Sequence, residues 1–131
     1  MEKNFKLEII SPEKIVFSDE VNMVSIPSYE GYMSVLKDHV PIITFLRPGI
    51  IEVEKKNDNK EKFFVEDGTI EYFDNNLSVL STSAMNLKDL SREFLENLGK
   101  DTESLLSQKD ISDHDRYILN HKLDAIKEIR V

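Results

Sequence analysis

Cysteine and tryptophan are absent from the 131 residues, and glycine and proline occur only four times each. Without cysteine there is no disulfide, no thiolate metal site and no thiol nucleophile, a composition compatible with a reducing compartment. Without tryptophan, and with aromatic residues at 8% and scattered, there is no stacking platform for a sugar. No apolar run approaches the roughly 20 residues that a spanning helix requires, and the opening MEKNFKLEII lacks the apolar core of a signal peptide. Positive charge is scarce: 17 Lys and Arg stand against 25 Asp and Glu, a net charge of −8. Neither the first 86 residues nor the remainder is net basic. That disfavours nucleic acid, whose phosphates need a basic face, and adhesion to or direct insertion into an anionic membrane. A protein partner with a basic surface suits the charge, as does solubility alone.

Chemical motifs are as sparse. The histidines are His39, His114 and His121, and none stands in an HxxxH or HExxH spacing. His114 and His121, seven residues apart on a helix, are separated by about 10 Å, too far to share an ion. Asp38-His39 with Ser34 nearby lacks a nucleophile elbow and an oxyanion hole. There is no GxxxxGK[ST] and no GxGxxG to cradle phosphate. No catalytic residue, metal or cofactor is therefore expected.

What is present reads first as β. Phe5, Leu7 and Ile9 alternate with Lys6 and Glu8, a half-buried strand. Short strands follow at Ile15 to Phe17 and Val21 to Ile26, around the polar Ser18-Asp19-Glu20. In Glu30 to Gly49, Gly31 suits a sharp turn, and Tyr32 to Leu36 alternates as a strand. Lys37 to Val40 is a polar break, and Ile42 to Leu46 looks like a strand buried on both faces. Pro41 holds Val40 extended, so a locked strand presents Lys37, Asp38 and His39. Arg47-Pro48-Gly49 turns the chain. Further strands are expected at Ile50 to Glu54, Phe63 to Val65, Ile70 to Tyr72 and Leu77 to Leu80, with tips at Lys55 to Lys60 and Asp74-Asn75-Asn76.

The periodicity changes near Met85. Leu87, Leu90, Phe94, Leu95, Leu98, Leu105 and Leu106 recur at threes and fours, predicting an amphipathic helix from Leu87 to Gln108 that Gly99 weakens or splits. Ser112 is a candidate N-cap for a second helix whose face is Leu119, Leu123, Ile126 and Arg130. The short connection makes the pair an antiparallel hairpin. Its expected seam is Leu90, Phe94, Leu98 and Leu105 against Leu119, Leu123 and Ile126. The fold class is thus α+β: an antiparallel β-sandwich over residues 1–86, then an antiparallel α-helical hairpin over residues 87–131.

The run from Glu30 to Gly49 also resembles the signature of the epsilon subunit of the bacterial rotary ATP synthase: Gly, an acid, any residue, then Gly-Val-Leu-Pro-Gly-His-Ala-Pro-Leu and a Leu-x-Pro-Gly turn. Gly31, Val35, Leu36, His39, Pro41, Leu46, Pro48 and Gly49 match; Tyr32, Ser34, Lys37 and Asp38 depart. Ile10 to Glu13, Phe17-Ser18 and Asn75 to Leu80 also sit where that family has similar residues. The resemblance implies a non-catalytic place in the central stalk, at the cytoplasmic face of the bacterial inner membrane, coupling rotation to ATP synthesis. It implies binding to the gamma subunit and the c-subunit ring, with alpha and beta reachable by the hairpin. It places the ring contact at Gly31, Tyr32, Val35, Leu36, Asp38, His39 and Pro41, with Val35 and Leu36 anchoring the loop from beneath. Where some members bind ATP through Leu-Asp-x-x-Arg-Ala, this chain has Leu90-Ser91-Arg92-Glu93-Phe94-Leu95. A phenyl ring cannot replace a phosphate-pairing guanidinium, so no ATP site is expected. Arg116, Lys122, Lys127 and Arg130 interleave with Asp124 and Glu128, which points to weak inhibition of ATP hydrolysis at most. The reading from another class is a free-standing binding module that dimerises through its helices.

Overall fold

The computed structural model describes residues 3–129, so Arg130 lies outside the described residues. Nine strands run in chain order: β1 (Phe5–Ile10), β2 (Ile15–Ser28), β3 (Gly31–Val35), β4 (Ile42–Leu46), β5 (Gly49–Lys55), β6 (Lys60–Val65), β7 (Gly68–Phe73), β8 (Asn76–Leu80) and β9 (Met85–Asn86). A 3-10 turn, Leu87–Asp89, leads to helices α1 (Arg92–Leu106) and α2 (Asp113–Glu128). The strand order is β1-β8-β7-β4-β2-β5-β6-β9, with β3 on β2 and β1 also on β2. The two layers of a β-sandwich are linked by the long β2.

Strand alternation builds the core. Phe5, Leu7, Val21, Val24, Ile51, Val53, Phe63, Val65, Ile70, Tyr72, Leu77 and Val79 meet in one buried cluster. Each large apolar side chain so buried contributes about 1.5–3 kcal/mol. A second cluster forms on the far side of β6, where Phe64 meets Leu90, Leu95, Ala125, Ile126 and Ile129, with Ile50, Met85 and Leu98 against it. The helices therefore close one outer face of the sandwich.

The structure corrects several expectations. β2 is one strand, because Ser18, Asp19 and Glu20 pair with Glu8, Leu7 and Lys6. The backbone ladder carries it through polar residues whose side chains stay in water. β1 and β8 pair in parallel, unlike the other pairings. β4 is not buried on both faces: Ile43 is 79% and Phe45 61% exposed. The first helix begins at Arg92 rather than Leu87, because Ser91 is extended and its hydroxyl accepts from the Phe94 N–H at 3.0 Å. Gly99 does not split it: α1 runs unbroken from Arg92 to Leu106. Ser112 caps α2 as expected, accepting from the Asp115 N–H at 3.0 Å.

Candidate functional site

The polar break between β3 and β4 forms a pinned loop. Val35 is buried beneath it, and the His39 N–H donates to the Leu36 carbonyl at 3.2 Å. Asp38 adopts φ 65°, a conformation that Asp tolerates. The β7–β8 turn holds this shape. Asn75 Oδ1 accepts from the Asp38 N–H at 2.7 Å, and Asn75 Nδ2 donates to Asp38 Oδ1 at 3.1 Å. The Tyr72 hydroxyl lies 2.8 Å from Asn75 Oδ1 and 3.3 Å from the Leu36 carbonyl. Burial pushes the Tyr72 phenol up from its ordinary value, despite hydrogen bonds from the loop that lower it. The His39 ring meets Tyr72 edge-on at 5.7 Å, and its Nδ1 lies 2.7 Å from the Val40 carbonyl. His39 is thus committed to packing and a backbone bond. Tyr72 and Asn75 were invisible as site residues in the sequence; the adjoining Asp74-Asn75-Asn76 turn was the available signal.

The residues of the Gly31 to Pro41 run do not share one surface. Asp38, Pro41 and Leu36 are exposed at the loop. Leu36 is 53% exposed, so Val35 alone anchors the loop and Leu36 is presented outward. Tyr32 sits toward the other end of β3, about 13 Å from Leu36 at the rise of an extended strand. Its hydroxyl accepts from the Ile50 N–H at 3.1 Å, and its ring lies 5.1 Å from the Arg47 guanidinium. Gly49 permits this: a Cβ there would meet Pro27 Cβ at 2.5 Å and the Tyr32 hydroxyl at 2.9 Å. Gly31, at φ 125°, opens the strand in a conformation glycine takes readily.

Beside the loop lies an uncovered apolar face. Val40 is 68% exposed, Ile43 79%, Phe45 61%, Phe73 63% and Leu80 52%. Register places Phe45 opposite Thr69, Thr69 opposite Leu80, and Leu80 opposite Ile10, so Phe45, Thr69, Leu80 and Ile10 form one row across β4, β7, β8 and β1, while Ile43 lies opposite Glu71 and Phe73 opposite Asn76. A groove of about 800 Å³ runs along it, lined by Ile10, Pro12, Tyr29, Phe45 and Leu80 among others.

In the helices, Leu90 and Ile126 lie in the second cluster and Leu98 packs against it, while Leu119 and Leu123 are half-buried. Phe94 and Leu105, expected in the seam, are 40% and 44% exposed. Their places are taken by Leu95 and Thr102, both buried, with the Thr102 hydroxyl turned onto the Leu98 carbonyl at 2.7 Å. Leu95, Leu98 and Thr102 stand at the i, i+3, i+7 spacing of one helix face, which leaves Phe94 beside the stripe and Leu105 near the end of α1. His114 stacks on Tyr29, and His121 packs edge-on to Tyr117 at 4.4 Å. No described helix is long and apolar enough to cross a membrane.

Comparison with known proteins agrees with this arrangement. The family described as "ATP synthase, Delta/Epsilon chain, beta-sandwich domain" matches residues 4–87. The ATP synthase epsilon chain of Pelagibacter ubique is 41% identical over 130 residues, covering 98% of this chain and 99% of that one. The ATP synthase epsilon chain of Parvibaculum lavamentivorans is 37% identical over 134 residues, covering 99% and 98%. Among solved structures, a chain of the Euglena gracilis mitochondrial ATP synthase superposes at TM-score 0.76 with 19% identity, covering 97% of this chain and 79% of that one. The last is a likeness of fold.

Proposed function

This chain belongs to the family of ATP synthase epsilon chains, non-catalytic subunits of the synthase, and on that premise we propose how it works within the central stalk. The uncovered face of β4, β7 and β8 seats the gamma subunit, and the pinned loop from Leu36 to Pro41 meets the c-subunit ring. The sandwich transmits torque between them. Close-packed interiors resist deformation, so residues 1–86 act as the stiff unit and residues 87–131 as the movable one. The site of work is the cytoplasmic face of the bacterial inner membrane.

The observation that carries this reading is the exposure of Ile43, Phe45, Phe73 and Leu80 on one face of β4, β7 and β8, where Thr69 and Glu71 stand among them. A cluster of exposed large apolar side chains marks a protein interface, and Glu71 on the same face, like the acidic balance of the chain, suits a basic partner. Within the run first expected at the ring, Leu36, Asp38, His39 and Pro41 remain together, supported by Val35. Gly31 and Tyr32 belong to the end of β3 near α2 and serve the hairpin. Regulation of ATP hydrolysis through α1 and α2, reaching the alpha and beta subunits, is weak in this reading. Copurification with gamma is the test: a stoichiometric complex is expected, and a homodimer that ignores gamma overturns the reading.

A further inference from the structure

The hairpin rests on the sandwich through two unlike zones. One is the apolar cluster around Phe64, Leu95 and Ile126. The other is polar and aromatic. Tyr29 stacks on Tyr117 with ring centroids 5.9 Å apart and planes 9° apart, and the Tyr117 hydroxyl donates to the Tyr29 carbonyl at 2.7 Å. Next along α2, His121 packs on Tyr117, and Lys122 pairs with Glu66 at 2.6 Å. Arg47 completes this zone from the β4–β5 turn. It is 9% exposed, donates to the Pro48 carbonyl at 3.0 Å and lies against the Tyr32 ring. Among the described residues no carboxylate stands within ion-pair distance of it. Seating α2 therefore places the His121 imidazole in the same groove as this buried guanidinium, with Asp124 and Glu128 along its rim but neither in an ion pair with Arg47 among the described residues.

We propose that the juxtaposition of His121 and Arg47 makes the seating of the hairpin proton-sensitive: closed while His121 is neutral, loosened when an imidazolium forms beside the guanidinium. The groups facing His121 are Arg47 from the β4–β5 turn, Tyr32 from β3, and Tyr117 and Asp124 from its own helix. Lys127 and Glu128 line the same groove, and Lys122 is committed to Glu66. Asp124 favours the imidazolium, but burial and then Arg47 outweigh it and hold the His121 pKa below the ordinary 6.5. The seated hairpin thus binds fewer protons than the released one. Seating is at full strength above about pH 6.5 and weakens as pH falls through that value. At pH 5.5 the ratio of seated to released hairpin is reduced by at most about tenfold, because a free imidazole there is about ten parts protonated to one neutral.

The intact chain tests this without the synthase. Having no cysteine, it accepts a dye pair at Asn57→Cys and Lys109→Cys, both exposed. Energy transfer should report a seated fraction that falls between pH 7.5 and pH 5.5. His121→Gln should flatten that dependence, Arg47→Lys should keep it, and His39→Gln, in the loop away from the hairpin, should leave it unchanged. In NMR titration of the unlabelled chain, the His121 ring should titrate below the ordinary 6.5. An unchanged pH response in His121→Gln, a seated ratio constant from pH 7.5 to 5.5 in the parent, or His121 titrating at or above 6.5 would overturn the proposal. None of these readouts depends on gamma, so the seat for gamma stands or falls separately.

Discussion

The two outer faces of this sandwich carry similar side chains and meet opposite fates. On β5 and β6, Ile50 and Phe64 are covered by the chain's own helices, and Phe64 is wholly buried. On β4, β7 and β8, Ile43, Phe45, Phe73 and Leu80 face outward uncovered. Hydrophobicity alone does not distinguish them; topology does. The helices follow β9, which pairs with β6, so they fall on the near face and leave the far one open. In the proposed function this open face, bare among the described residues, is the one that another chain covers.

The comparison can be broken by substituting one residue from each side. Phe64→Ala, on the covered face, should cost about 3–5 kcal/mol of unfolding free energy in denaturant titration. Phe45→Glu, on the open face, should stay within about 0.5 kcal/mol of the parent. Equal losses at the two positions would mean the faces are not different in kind. Binding should show the reverse order. Phe45→Glu should weaken capture of gamma by about 2 kcal/mol or more, roughly thirtyfold, through loss of a central aromatic anchor. A solvent-facing control such as Lys56→Glu should leave the affinity as it was.

Smaller effects sharpen the picture at the loop and at the caps. Asn75→Ala removes the side chain that pins Asp38 and sits at φ 62°. It should cost about 2 kcal/mol, from lost hydrogen bonds and left-handed strain together. Asn75→Gly removes the bonds alone and should cost about 1 kcal/mol less. Ser112→Ala deletes the α2 cap and should lower stability by about 1 kcal/mol. A thermal melt ranks all three.

Much of the fold was legible because it follows short-range rules. The alternation of Phe5, Leu7 and Ile9, the cap at Ser112 and the change of period near Met85 each depend on a few neighbouring residues. The missed features were long-range. β4 reads as buried on both faces because Ile42 to Leu46 is apolar throughout, and the sequence carries no mark of which face lacks a cover. The true register of α1 turned on Ser91 capping at the expense of one turn of helix. The site was less legible than the fold. Tyr32 lies six residues from Asp38 in sequence, but an extended strand carries it to the opposite end. Asn75, far along the chain, is what shapes the loop.

The most direct measurement of the central claim is hydroxyl-radical footprinting of the chain alone and bound to gamma. The account predicts that Phe45 and Phe73 label readily in the free chain and are protected in the complex, while Phe64 stays unlabelled in both. Undiminished labelling of Phe45 and Phe73 in the complex would contradict it.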